Sequence, residues 1–118
     1  MLDDGSGTLG VYAMYSTKTG TAIRVLVYNS AFFNGSGTRS SVSASLKIPS
    51  AIATLRAKRL TAPMSTSLAG GGITIGASGT FDTSCNAIGK EVYEEVAIHS
   101  GVVNVTVKAS EALILYVN

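Results

Sequence analysis

The chain has no tryptophan, one cysteine, one histidine and two prolines in 118 residues. The lone cysteine, Cys85, excludes an internal disulfide. With only His99 to offer beside it, a metal site would have to be built from one imidazole and carboxylates, which argues against a zinc function. Serines are plentiful, but none stands in GxSxG, and a single histidine leaves a hydrolase triad little to work with. Only 14% of the residues are charged, the net charge is +2, and neither sign forms a block, so neither disorder nor a nucleic-acid-coating tail is expected. Every apolar run is broken by Gly, Ser, Thr or a charge before it reaches membrane-spanning length, so no transmembrane helix and no membrane partner are expected. The opening "MLDDGSGTLG" carries aspartates where a signal peptide wants Lys or Arg, and no apolar core follows.

What remains is β-rich. Short β-branched and aromatic runs alternate with clusters of Gly, Ser, Thr, Asn and Pro, and no stretch sustains a helical period over three turns. "VYAMYS" (11–16) and "AIRVLVYN" (22–29) flank "TKTGT", whose Gly20 can take positive φ, which predicts a hairpin. On the second strand Ile23, Val25 and Val27 share one face while Leu26 and Tyr28 share the other, the pattern of a strand covered on both sides. "SVSASLKI" (41–48) alternates Val42, Ala44, Leu46 and Ile48 with serines and Lys47, one face for the core and one for water. A short helical turn is expected at "SAIA" (50–53), then a strand in "TLRAKRLTAP" (54–63) and another around Ile73 and Ile75 between glycine-rich turns. "GVVNVTVKAS" turns Val103, Val105 and Val107 inward, and "EALILYV" (111–117) follows as the last arm of a β-meander. Length and pattern together predict one domain over 1–118, all-β, a two-sheet antiparallel β-sandwich of about eight strands.

Chemistry gathers in one place, "KEVYEEVAIHS" (90–100), which holds three glutamates and the histidine. If 91–98 is a strand, Glu91, Tyr93, Glu95, Ala97 and His99 share one face, and Glu94 points the other way with Val92, Val96 and Ile98. Glu94 and Glu95 then cannot face one bond. Glu91 and Glu95 stand about 13 Å apart, whereas glycosidase carboxylate pairs need about 5–9.5 Å. Asp82 is the candidate for a second carboxylate from elsewhere. His99 falls at a turn, where a solvated ring is the ordinary outcome, and Cys85 reads as a small, partly buried loop thiol. Glu94, on an otherwise apolar face, is the oddity: a domain-interface residue or a cap for loop donors.

No cofactor motif is present: "GGGITIG" lacks the GxGxxG spacing, and "NAIGKEV" lacks the glycine and hydroxyl of a P-loop. Arg56 and Lys58 share a strand face that could grip an acidic sugar, although a solvated face is the commoner use of such a pair. Two sequons, Asn34-Gly-Ser and Asn104-Val-Thr, are candidate glycosylation sites, one in a loop and one on a strand's solvent face.

The order of these segments is familiar. "VYAMYS", "AIRVLVYN", "LRAKRLTAP", "GGITIGASGTFD" and "VVNVTVKASEALILYV", and within them the pair Tyr28-Asn29, "RLTAP" at 59–63 and "EAL" at 111–113, resemble the C-terminal β-domain of glycoside hydrolase family 79, the β-glucuronidase and heparanase-like enzymes, in its fungal form. The resemblance implies a β-sandwich packed against a (β/α)8 barrel that holds both catalytic glutamates. No residue of this chain matches those catalytic motifs, so no catalytic residue is assigned. It implies a secreted glycoprotein, the tail of a longer product, with a glucuronide-containing glycan at the rim of the neighbouring cleft. It also implies that a strand from the segment preceding the barrel can join the sandwich, leaving an unpaired edge without it, liable to association. The expected function is therefore an accessory domain that stabilises the barrel and has no hydrolytic activity alone. Two other readings compete with it: a free-standing carbohydrate-binding sandwich stacking sugars on Phe32, Phe33 and Tyr93, and a small enzyme built on Asp82, Glu94 and His99.

Overall fold

A computed structural model describes residues 4–50, 52, 54–68, 71–77 and 79–117. Among these residues there is no helix, and ten strands follow one another: β1 (Leu9–Tyr15), β2 (Ala22–Asn29), β3 (Ser41–Lys47), β4 (Leu55–Thr61), β5 (Thr74–Ile75), β6 (Thr80–Phe81), β7 (Ala87–Ile88), β8 (Glu94–Val96), β9 (Val102–Lys108) and β10 (Glu111–Tyr116). The surplus over eight is β6 and β7, two residues each, too short for any period to register in the sequence; β5 is the strand expected around Ile73 and Ile75. Of the helical turn expected over 50–53, Ala51 and Ala53 lie outside the described residues, as do parts of the glycine-rich turns at 69–72 and 76–79.

The large sheet runs β1-β2-β10-β4-β5, all antiparallel, with β8 also pairing β4. β8 and β5 divide the outer edge of β4 between them: Leu55–Ala57 pair with β8 and Leu60–Thr61 with β5. The expected β1–β2 hairpin forms, with Gly20 at φ 67° in its loop. Facing the large sheet is a pair, β3 with β9, and β6 with β7 forms a small ribbon aside. β9 pairs with β3 alone among the described residues, so its second edge is open.

The β-meander expected at the C-terminus is not what forms. β9 belongs to the small sheet, whereas β10 inserts between β2 and β4 in the large one, so the Ala109-Ser110 turn crosses from layer to layer. Side-chain pattern explains the separation. β9 is apolar on one side only, its Asn104, Thr106 and Lys108 matching Ser45, Ser43 and Ser41 of β3 across a wet face. β10 is apolar on both, with Leu113, Leu115 and Val117 buried and Ala112, Ile114 and Tyr116 half-buried on the other side, which suits a central strand. Ser110 takes φ 59° to make the crossing, its N–H donating to the Asn29 carbonyl at 2.9 Å.

The core lies between the layers: Val11, Val25, Val27, Leu55, Ala57, Leu113 and Leu115 from the large sheet against Ala44, Val103, Val105 and Val107 from the small one. Asn29 continues the inward parity of Val25 and Val27 and is almost fully buried. Its Nδ2 donates to the Val107 carbonyl (3.2 Å) and its Oδ1 accepts from the Ala31 N–H (3.0 Å), so one amide ties both sheets to the following loop. On the opposite face of the large sheet, Gly10 lies under the Tyr28 ring, 2.3 Å from where a β-carbon would stand; only glycine lets that ring lie flat against β1. Leu115 is fully buried at the centre of the core, so Leu115→Ala should cost about 2–5 kcal/mol of stability, read from the shift in denaturant midpoint at unchanged slope.

Candidate functional site

The acidic cluster is positioned by β4. Strand alternation sends Arg56, Lys58 and Leu60 to the outer face of the large sheet and Leu55, Ala57, Arg59 and Thr61 to the inner face. The chain reaches β4 again through Gly76, whose N–H donates to the Arg59 carbonyl (3.0 Å) and whose carbonyl accepts from the Val92 N–H (2.8 Å). A β-carbon at Gly76 would stand 2.7 Å from the Val92 carbonyl oxygen, and φ there is 55°, so glycine is what allows the 91–94 segment to lie so close. Only 94–96 of the strand expected at 91–98 pairs as a strand, because Val92 spends its N–H on Gly76 instead.

The expected alternation of faces holds. Glu91 bonds Lys58 on the outer face, and Glu94 bonds Arg59 on the inner one, through Nε to Oε1 at 3.2 Å and Nη2 to Oε2 at 3.4 Å. The two acids are thus divided by the sheet itself. Glu95, opposite Arg56 in the register, is exposed. Asp82 lies in the β6–β7 turn, where its Oδ1 accepts from the Ser84 and Asn86 N–H groups at 2.9 Å each. Asp82, Glu94 and His99 are not brought together as an acid/base set. His99 is exposed at the β8–β9 turn, where its N–H and carbonyl bond Val102 and where Ser100 and Gly101 take φ 51° and 74°. Cys85 is exposed rather than partly buried, because a φ of 64° in the Asp82 turn swings it outward. Among the described residues no three His, Cys, Asp or Glu side chains gather in a way that could hold a metal.

Glu94 turns out to be one end of a chain of ions that the sequence reading did not find. Arg59 also reaches Glu111 (Nη1 to Oε2, 3.5 Å) and donates to the Thr106 carbonyl (3.0 Å), while Glu111 meets Arg39 at 3.8 Å. Glu111 is buried, with Oε2 accepting from the Lys108 N–H. Arg39 donates to the Ala109 and Ala62 carbonyls (2.8 and 2.9 Å), stacks over Phe33 at 5.0 Å, and leaves its Nη2 buried without a hydrogen-bond partner. The signal for Glu111 was present, since it shares the inward parity of Leu113 and Leu115; nothing in the loop sequence marked Arg39.

Arg59 lines three adjoining clefts of 330, 460 and 400 Å³, the second shared with Glu94, Glu95, His99, Asn104 and Thr106. Its donors are taken by two carboxylates and a backbone carbonyl, which leaves no free fork for an acidic sugar. Phe32, Phe33 and Tyr93 do not form one platform: Phe32 is exposed in the loop after β2, Phe33 lies under Arg39, and Tyr93 is on the outer face beneath Arg56 and Lys58 at 4.8 Å each. Asn34 is exposed, its Oδ1 accepting from the Ser36 N–H and hydroxyl, and Asn104 is exposed on β9, accepting from the Ser45 hydroxyl at 2.6 Å.

A hydrogen bond to the Glu91 carboxylate raises the Lys58 pKa above its ordinary value, and those donated by Asn86 lower that of Asp82. The raised lysine contributes stability below its ordinary value that is lost as pH rises through the higher one. The lowered carboxyl contributes above its ordinary value and loses that contribution as pH falls.

The profile of the family "Glycosyl hydrolase family 79 C-terminal beta domain" matches residues 11–114. Among solved structures, a 4-O-α-L-rhamnosyl-β-D-glucuronidase from Fusarium oxysporum 12S, in complex with Rha-GlcA, superposes with a TM-score of 0.84 at 37% identity. The match covers 98% of this chain and 25% of that one. CelM2, a bifunctional glucanase-xylanase from a metagenome library, matches with a TM-score of 0.49 at 12% identity, covering 92% of this chain and 15% of that one. No curated protein sequence matches.

Two predictions follow from these ion pairs. Glu111→Ala leaves Arg39 without its carboxylate between the sheets, Arg59 keeping Glu94, and should cost on the order of 3 kcal/mol, whereas Glu91→Ala should cost under about 1 kcal/mol, both read by urea unfolding. Asp82→Ala should be less stable than the parent at neutral pH, and the gap should close as pH falls below about 3.9, read as converging acid-unfolding curves.

Proposed function

Because the chain belongs to the C-terminal β-domains of glycosyl hydrolase family 79, we propose that it is the non-catalytic accessory domain of a β-glucuronidase-like enzyme, packing against and stabilising a (β/α)8 catalytic barrel. The chain spans a quarter of the length of the Fusarium glucuronidase it matches, leaving three-quarters of that enzyme to supply the catalysis. The observation that carries the reading is the fate of the acids. Glu91 and Glu94 are held by cations on opposite faces of one sheet, Glu94 and the buried Glu111 are both committed to Arg59, and Asp82 is spent on its own turn, so no two carboxyls stand free to flank a glycosidic bond as retaining hydrolysis requires. On this reading the catalytic glutamates lie outside the chain, and the chain's contribution is burial against the barrel and shaping of the rim where a glucuronide-containing glycan binds.

The same reading places the protein outside the cell as a glycoprotein, with Asn34 and Asn104 as the glycan-bearing residues. Both are exposed, and a glycan at either would project into solvent without displacing a core side chain.

The purified chain should give no turnover of a chromogenic β-glucuronide above buffer, and Glu94→Gln should leave that result unchanged. Measurable hydrolysis abolished by Glu94→Gln would replace this reading with that of a small enzyme.

A further inference from the structure

The core accounts for one face of the large sheet and leaves the other unexplained. Register places Gly10, Tyr28, Ala112, Leu60 and Ile75 in one row across the outer face, Tyr12, Leu26, Ile114 and Lys58 in the next, and Met14, Arg24, Tyr116 and Arg56 in the third. The β3–β9 layer lies on the other face, and over this one reaches Tyr93, whose ring meets Tyr116. Tyr12, Met14, Leu60 and Tyr93 are each 36–40% exposed, and Leu26, Tyr28, Ile114 and Tyr116 are half-buried. Strand and row spacings give the patch an area on the order of 400 Å². A soluble protein's largest apolar patch is commonly of that size and commonly functional.

The patch has a polarity along it. At the β1–β2 side it is aromatic, with Tyr12 stacked on Tyr28 at 6.1 Å. Along the third row cations lie on tyrosine rings: Arg24 of β2 over Tyr116 at 5.3 Å and Arg56 of β4 over Tyr93 at 4.8 Å, the two rings meeting edge to face at 5.3 Å. Lys58 has Glu91 as its counter-ion. Arg24 and Arg56 have none among the described residues; even Glu95, opposite Arg56 in the register, makes no ion pair with it. Two guanidinium groups steadied on aromatic rings and lacking carboxylates of their own are half of an ion-pair arrangement.

Resting on the accessory-domain reading above, we propose that this outer face of β1, β2, β10 and β4 is the surface that docks the enzyme's catalytic portion. The matching surface presents apolar side chains to Tyr12, Met14, Leu26 and Ile114, and carboxylates to Arg24 and Arg56. Tyr12, Tyr93 and the two arginines are of the residue types that dominate interface energetics when desolvated. The inner flank around Arg59 is a poorer surface for the purpose, because its ions already satisfy one another.

The test is hydroxyl-radical footprinting of the 118-residue chain alone and of the polypeptide in which it is joined to its catalytic portion. Tyr12, Met14, Tyr93 and Tyr116 should lose most of their oxidation on joining, while Phe32 and Met64, exposed elsewhere, should oxidise equally in both. Protection confined to Phe32 and Met64, or to His99, overturns the docking face and leaves the accessory-domain reading standing. No protection anywhere overturns both. A second measurement uses charge reversal: the double variant Arg24→Glu, Arg56→Glu should lower the unfolding temperature of the joined polypeptide by clearly more than that of the free chain, which loses only the two cation–π contacts. An equal fall in both, or no fall in either, overturns the proposed carboxylate partners.

Discussion

Two strands cannot cover five. At about 4.8 Å per strand, the β3–β9 pair shields roughly 10 Å of a sheet more than twice as wide. The apolar core therefore centres on β2 and β10 and takes in Val11 of β1 and Leu55 and Ala57 of β4. Past Ala57 the inner side of β4 runs out from under the smaller sheet into an open cleft, and the residues standing there are Arg59, Thr61, Thr74 and Glu94. The change from valine and leucine to charge along one face follows from this mismatch of widths. So does the position of the ion chain, which runs from the covered Glu111 to the open Glu94 and joins the layers where apolar contact ends.

Such a chain is a tether more than a source of net stability. Desolvating Glu111 and two guanidinium groups costs about what their attraction returns, but breaking the set leaves a charge stranded between sheets. Arg39 fastens the loop after β2 to the β9–β10 crossing through the Ala109 carbonyl, and Arg59 fastens β4 to the open edge of β9 through the Thr106 carbonyl. Those contacts set how the small layer sits on the large one in a molecule whose single cysteine allows no internal disulfide to do so.

Much of this was legible in residue patterns. Alternation located β2, β3, β9 and β10 within a residue or two, and it divided Glu91 from Glu94 across the sheet. It could not say which strands share a layer: β9 and β10 are adjacent in sequence and look like a hairpin, and only the double-sided apolarity of β10 shows that it belongs at a sheet's centre. The short strands β6 and β7 carry too few residues to have a period. The ion chain escaped because Arg39 sits in a Gly/Ser-rich loop and reaches Glu111 across 72 positions of sequence, a contact that only the closed fold creates. Family resemblance reached further than periodicity, since the Tyr28-Asn29 pair it rested on is both the ring over Gly10 and the amide that joins the sheets.

The distribution of aromatic rings gives the molecule an optical property. It has five tyrosines and no tryptophan, and four of the five, Tyr12, Tyr28, Tyr93 and Tyr116, stand on a single side of the large sheet. Its near-ultraviolet absorption and phenolic emission accordingly originate almost wholly from that side. Anything that settles over those rings changes their polarity and quenching together, so the unlabelled protein carries its own spectroscopic gauge of whether that side is wet or dry.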